Sequence, residues 1–130
     1  MIAVIQYNNR HIEEINKWWE HYKYPPPPLH RLSKTGVVFE KSNEPIGAAW
    51  IYKTDSSIAY LDFAIMKPKL ETALYQELAQ IFIPTLETIV RGMGFRTTVV
   101  YIRIPVLMRR FEKAGYIRNS GNWIQYSKEL

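Results

Sequence analysis

Ile58-Ala-Tyr-Leu-Asp-Phe-Ala-Ile-Met-Lys-Pro-Lys-Leu-Glu-Thr-Ala-Leu-Tyr-Gln-Glu-Leu78 joins an apolar run to a long helical pattern. Residues 58–65 read as a strand whose alternation puts Tyr60, Asp62 and Ala64 on one face. Leu70, Leu74, Leu78, Ile81, Thr85 and Ile89 then share a helical stripe, and Pro84 inside it predicts a kink or break near Ile83. Gly92-Met-Gly94 closes the helix. Phe95-Arg-Thr-Thr-Val-Val-Tyr-Ile102 is the most β-branched run in the chain and a second strand. Two strands flanking a helix predict parallel neighbours with a right-handed crossover. A helix N-terminus after such a strand is a ready phosphate site, usually with glycines that let the backbone approach the anion. The loop between strand and helix here has no glycine.

Outward from that unit, Ile2-Ala-Val-Ile-Gln-Tyr7 is a short strand, and Asn8 or Asn9 supplies an N-cap. Ile12, Ile15, Trp18 or Trp19, and Tyr22 follow at helical spacing. Pro25-Pro-Pro-Pro28 ends that helix in an extended, stiff loop. Residues 36–40 and 46–52 are strands separated by the turn Ser42-Asn-Glu-Pro45, and Thr54-Asp-Ser-Ser57 turns into the strand at 58. These three make an antiparallel meander. Pro105 suits the first position of a last helix, with Leu107, Met108, Phe111 and Ala114 on its apolar side and Gly115 just past its end. Tyr116-Ile117 and Trp123-Ile-Gln-Tyr126 read as two closing strands joined through Asn119-Ser-Gly-Asn122. The expectation is one mixed α/β (α+β) domain over residues 1–130.

Composition narrows the chemistry. With 47% hydrophobic and 14% aromatic residues in 130, the chain has enough apolar surface for one core, and global disorder is excluded. The absence of cysteine excludes disulfides, thiolate metal sites and cysteine nucleophiles together. His11, His21 and His30 show no metal spacing with a carboxylate partner, so no metal site is expected. The first residues lack the charged start and apolar stretch of a signal peptide, and no run reaches the ~20 apolar residues that span a bilayer, which together predict a cytoplasmic location without membrane contact. Net charge is +5 but uneven: Arg91, Arg96, Arg103, Arg109, Arg110, Lys113 and Arg118 face only Glu112 between residues 91 and 118, a local +6. Such a field attracts anions, although arginines paired with carboxylates elsewhere would explain it equally.

The order β-α, meander, α-β, α-β-β, with Lys34-Thr-Gly36 before the first meander strand and Phe111-Glu-Lys-Ala-Gly-Tyr116 near the end, resembles the GNAT (Gcn5-related) N-acetyltransferase superfamily over nearly the whole chain. The most specific part is the tail: an aromatic, any residue, Lys, any residue, Gly, aromatic. The segment 34–65 also looks like small GNAT-like proteins of bacteriophages, which would place the chain in a host cytoplasm. The resemblance implies a mostly antiparallel sheet of six to seven strands, helices on both faces, and a central parallel pair, 58–65 and 95–102, that splays apart. In that family the gap takes the pantetheine arm of acetyl-CoA or a related acyl-CoA. The pyrophosphate sits on the next helix, and an amine attacks the thioester without a protein nucleophile.

Carried onto this sequence, the resemblance gives backbone contacts at Phe63, Ala64 and Ile65, with Lys67, Lys69, the N–H groups of Thr72 and Ala73, and Arg109 toward the phosphates. The family loop of Arg or Gln, two residues, Gly, one residue, then Gly or Ala is missing, and Glu71 puts negative charge where an anion would lie. The family's acid, a tyrosine four residues before the tail glycine, is Phe111 here; Tyr101 or Tyr116 is the candidate substitute, although a packed aromatic with a hydrogen-bonded hydroxyl is the ordinary reading of each. An asparagine frequent before that helix is replaced, with Arg103-Ile104 standing there. Asp62 is the candidate base, with Glu40 and His30 behind it, and an arginine-paired surface aspartate is the plain alternative. Trp18, Trp19, Trp50 and Trp123 read mainly as core. The leading function is acyl transfer to a primary amine of a small molecule or protein. The rival is a GNAT-like binding protein engaging an acidic protein partner through residues 91–118; nucleic-acid binding rests on charge alone. A homodimer is an open expectation.

Overall fold

The computed structural model describes residues 1–119 and 124–130. Its sheet runs β1 (Ala3–Gln6), β2 (Thr35–Lys41), β3 (Glu44–Lys53), β4 (Ile58–Met66) and β5 (Thr97–Val100), neighbouring one another in that order. β1 to β4 pair antiparallel, and β4 pairs parallel with β5. Helix α1 (Ile12–His21) follows β1, α2 (Thr72–Gly92) makes the crossover from β4 to β5, and α3 (Pro105–Lys113) follows β5.

The two faces of the sheet are separated by strand alternation. Phe39 and Gly47 pair across β2 and β3 and point at α2: Phe39 meets Phe82 with ring centroids 5.0 Å apart. Gly47 leaves room there, since a Cβ would stand 3.3 Å from Leu78. Trp50, three residues on, faces the other side, where Tyr7 packs edge-on against it at 5.2 Å. On that side the α1 residue Trp19 meets Phe63 at 6.4 Å. Gly36 pairs with Trp50, and a Cβ on it would lie 2.6 Å from the indole nitrogen. α3 lies beside α2, with the Arg110 guanidinium 5.5 Å above the Tyr75 ring.

Four expectations need correction. The sheet has five strands among the described residues, not six or seven. Tyr116 is instead part of the α3 stop: its N–H bonds Phe111 O at 3.1 Å, Gly115 N–H bonds Glu112 O at 3.1 Å, and the Phe111 and Tyr116 rings meet edge-on at 5.0 Å. Gly115 has φ +98, so the six-residue tail is a Schellman cap with its accompanying apolar contact. Ile117, Ile124 and Tyr126 are exposed and outside any strand. Residues 120–123, with the expected turn and Trp123, lie outside the described residues.

Second, of the expected kink or break near Ile83 the break is absent: α2 is one continuous 21-residue helix through Pro84. Pro84 is exposed, so its ring sits on the solvent side. Third, the buried stripe of α2 is Leu78, Phe82, Leu86 and Val90 with Ile83, one residue round from the expected Ile81, Thr85 and Ile89. The sequence offers both stripes, and the docking of Phe82 on Phe39 selects one. Fourth, the β2–β3 turn is only Ser42 and Asn43, with φ +53 and +67, and Lys41 already pairs with Glu44. Two left-handed residues are what a tight type I′ hairpin requires.

The feature that positions the site is where β4 and β5 part. They pair from Ile58–Thr97 to Leu61–Val100, and the last bond is Tyr101 N–H to Leu61 O at 3.0 Å. β4 continues five residues to Met66, while 101–104 leads away into α3. At the parting point the β3–β4 register slips: Trp50 faces Asp62, but Ala48 faces Ile65. The extra residue is accommodated by a bulge in which Phe63 takes φ +57.

Candidate active site

Tyr52 on β3 pairs directly with Tyr60 on β4, and Asp62 is the next residue on the same face. Tyr101 is the first residue after β5, and its ring stacks on Tyr60 with centroids 5.9 Å apart and planes 14° from parallel. These four residues line a pocket of about 290 Å³. Asp62 and Tyr101, both expected at the site, are therefore brought together. Tyr116 is not beside them: its hydroxyl donates to Glu87 of α2 at 3.1 Å, and its proton is already committed there.

Local bonding sets the character of each group. The Tyr52 hydroxyl donates to Arg31 O at 2.6 Å and accepts Ser33 N–H at 3.3 Å. Burial pushes its pKa up to about 12, against the Ser33 bond. Burial also raises the Asp62 carboxyl above the ordinary range, opposed by its bond to Phe63 N–H and by the charge of Arg103. The Phe63 bond is short: its N–H donates to Asp62 Oδ1 at 2.7 Å. Phe63 is the residue whose N–H would form the next rung to β5 had the ladder continued. A larger cavity of about 1020 Å³ runs along the outer edge of β5 and shares Tyr60 and Tyr101 with the smaller one.

The remaining expected residues fall at the open end of β4. Phe63, Ala64 and Ile65 lie in the stretch without a β5 partner. Glu71 is the N-cap of α2 but makes no side-chain capping bond, and Thr72 and Ala73 are exposed at the first turn. The first turn of the helix thus presents N–H groups with no side-chain cap. Lys67 is drawn the other way: its N–H bonds Ile46 O at 2.9 Å, and Nζ lies 3.8 Å from Glu14 of α1. Lys69 is exposed with φ +60, the backbone region a glycine would favour. Arg109 is exposed on α3, whereas its neighbour Arg110 reaches α2. Helical spacing from Leu107 carries that signal, since 107, 110, 111 and 114 share a face.

The lesser candidates have structural partners. Glu40 is buried and binds Arg10 at 3.0 Å and His11 Nε2 at 2.9 Å. Asn8 N–H donates to His11 Nδ1, which leaves Nε2 as the donor to Glu40. His30 and Arg31 both pair with Glu129 near the C-terminus. The His11–Glu40 pair was not foreseen, because its members lie 29 residues apart and carry no motif.

No protein family's sequence pattern matches the chain, and no curated protein matches it. Solved structures do. One is a predicted acetyltransferase with acetyl-CoA from Clostridium acetobutylicum, at TM-score 0.68 and 10% identity over 98% of this chain and 96% of that one. A second is a ribosomal-protein-alanine N-acetyltransferase from Brucella melitensis biovar Abortus 2308, at TM-score 0.67 and 13% identity over 100% of both. A third is AAC(6')-Iy in complex with a CoA bisubstrate analog, at TM-score 0.65 and 15% identity over 100% of this chain and 99% of that one. Identities this low carry the fold and nothing finer.

Proposed function

We propose that this chain, whose fold is that of the GNAT acetyltransferases, transfers an acyl group from an acyl-CoA to a primary amine. The observation that carries the reading is the parting of β4 from β5 directly beside a pocket that holds Asp62 and Tyr101. An extended thioester arm fits an unpaired strand edge by the same bonding that adds a strand to a sheet. The open first turn of α2, Lys69 and Arg110 are the groups that would hold its phosphates. When bound, acyl-CoA supplies an activated acyl carbon; the chain supplies position and proton handling.

Asp62 is the proton acceptor for an ammonium in the pocket, because burial has raised its affinity for a proton. Its Oδ1 occupies Phe63 N–H at rest. Attraction to an ammonium would draw the carboxylate off that N–H and free it to face an acyl carbonyl oxygen. As the new C–N bond forms and the C–S bond breaks, Tyr101, which lines the same pocket, would donate its proton to the departing CoA thiolate.

Thermal unfolding with acetyl-CoA tests the reading. Ligand at ~100 times its dissociation constant stabilises the fold by about 2.7 kcal/mol. Lys69→Glu with Arg110→Glu should abolish the shift, and Asp62→Asn or Tyr101→Phe should lower kcat by about 10²- to 10⁴-fold. No shift at millimolar acetyl-CoA would sink the transferase. It would leave the rival, a GNAT-like binding protein, which the Lys67–Glu14 pair and the glycine-free loop favour.

A further inference from the structure

We infer that His30 and Arg31 form a carboxylate clamp beside the acceptor pocket, occupied in the free chain by its own Glu129, and that the acceptor is an extended peptide amine with an acidic side chain about three residues along. The inference deepens the transferase reading and rests on it only for the idea that this pocket is the acceptor end; the clamp and its occupant are bonded in the structure.

The loop that carries the clamp is pinned to β3. Residues Leu29–Arg31 form a single 3-10 turn after the four prolines. The Arg31 carbonyl accepts the Tyr52 hydroxyl at 2.6 Å, Ser33 N–H donates to that same hydroxyl at 3.3 Å, and Ser33 Oγ donates to Ile51 O at 2.6 Å. Tyr52 is thus shared: it lines the acceptor pocket, and its hydroxyl holds the backbone that bears the two cations. Both oxygens of one carboxylate are engaged. His30 Nε2 donates to Glu129 Oε2 at 2.9 Å, and Arg31 donates to Oε1 through Nε at 2.9 Å and again through Nη2. These bonds, that of Arg31 first, hold the Glu129 carboxyl below its ordinary value. A planar guanidinium with a second donor on the other oxygen suits a carboxylate in particular.

Glu129 can be displaced. Residues 124–130 are all exposed, so no buried surface holds them down, and ion pairs in water contribute little. The pocket itself is small and lined by four residues. Its free acceptors, the second Asp62 oxygen and the Tyr60 and Tyr101 hydroxyls, suit an ordinary –NH₃⁺ and read nothing beyond it. Selectivity among amines therefore falls to a neighbouring group, and the clamp is the cationic feature bonded to the pocket wall. Asp62 lies diagonal to Tyr52 across β3 and β4, roughly 7–8 Å away, and the clamp lies past the Tyr52 hydroxyl. A free α-amino acid carries both charges on one carbon and is too short to reach both. An extended peptide gains ~3.3 Å per residue and covers the gap in about three.

The test titrates the full chain carrying Glu129→Gln, which empties the clamp, with Ala-Ala-Glu-amide and with Ala-Ala-Gln-amide, followed by backbone amide shifts. Glu129 is exposed, so the variant should fold, and melting temperature checks that it does. The acidic peptide is expected to bind about threefold or more tightly than the neutral one, and to gain by a similar factor over the parent chain, where Glu129 competes. Arg31→Gln in the same background keeps the Arg31 carbonyl for Tyr52 and should remove the preference. Acetylating the peptide amine should weaken binding too, because the pocket then has no ammonium to hold. Equal binding of the two peptides, no binding of either, a preference that survives Arg31→Gln, no gain over the parent, or indifference to the free amine would each overturn the inference. If acetyl-CoA stabilises a chain that binds both peptides alike, the clamp falls and the transferase stands. A preference for the acidic peptide without an acetyl-CoA shift gives the reverse.

Discussion

Tyr116 illustrates how neighbours settle what a hydroxyl can do. Burial, then the nearby charge of Glu87 and their hydrogen bond, hold its pKa well above the usual tyrosine value. Tyr116→Phe should cost about 1.5–3 kcal/mol in urea unfolding, the value of a hydrogen bond to a charged group, while leaving turnover alone. Tyr101→Phe should do the opposite. Asp62 gives a pH signature of definite sign. Its folded pKa lies above its unfolded value of 3.8, so the fold binds that proton more tightly than the unfolded chain does. The associated stability is present below 3.8 and is lost as pH rises through the raised value. Asp62→Asn keeps an oxygen for Phe63 N–H and removes the buried charge, so it should be more stable than the parent at neutral pH, with the gain vanishing in acid. Equal stability at both pH values would show that Asp62 is not desolvated. Asp62 and Tyr101 were readable from strand alternation and position. Their companion Tyr52 was not, because only the β3–β4 register brings it opposite Tyr60.

Among the elements, the cap of α3 was the most legible, since Pro at the start and Gly past the end are local signals that need no tertiary partner. Gly115 stands at φ +98 with nothing within 4 Å of an added Cβ, so Gly115→Ala tests backbone strain alone and should cost about 1–2 kcal/mol. Pro84 is the counterpart inside α2. Its exposed ring contributes no core packing, yet it denies Gln80 O the N–H that a helix would offer. Pro84→Ala should therefore stabilise the chain by about 1–3 kcal/mol, read as a higher melting temperature; a lower one would mean the ring supports the helix in another way. The bulge at Phe63 and the left-handed Lys69 could not be read in advance. Both depend on how β4 is held against β3 and α2, and neither residue type advertises a positive φ.

At the scale of the molecule, the basic segment divides once it is folded. Arg110 lies over Tyr75 and Arg118 pairs with Glu112 at 3.3 Å, while Arg96 and Arg118 both line the cavity outside β5. The closing strands expected there are absent among the described residues, where Tyr116 is spent on the α3 cap. Near the C-terminus, Glu129 ties to His30 and Arg31 instead. Among the described residues β5 is the last strand of the sheet, and no described strand pairs with its outer side. A second copy docking there by a two-fold axis would bring its own Arg96 and Arg118 against these, and like charges oppose that contact. At 1 M salt the screening length falls to ~3 Å, so sedimentation should show association rising with ionic strength and with Arg96→Ser. Brine, in effect, removes the guard from an unfinished β-ribbon, and two such chains would then join edge to edge and stop at a pair, since a two-fold contact uses up both borders at once.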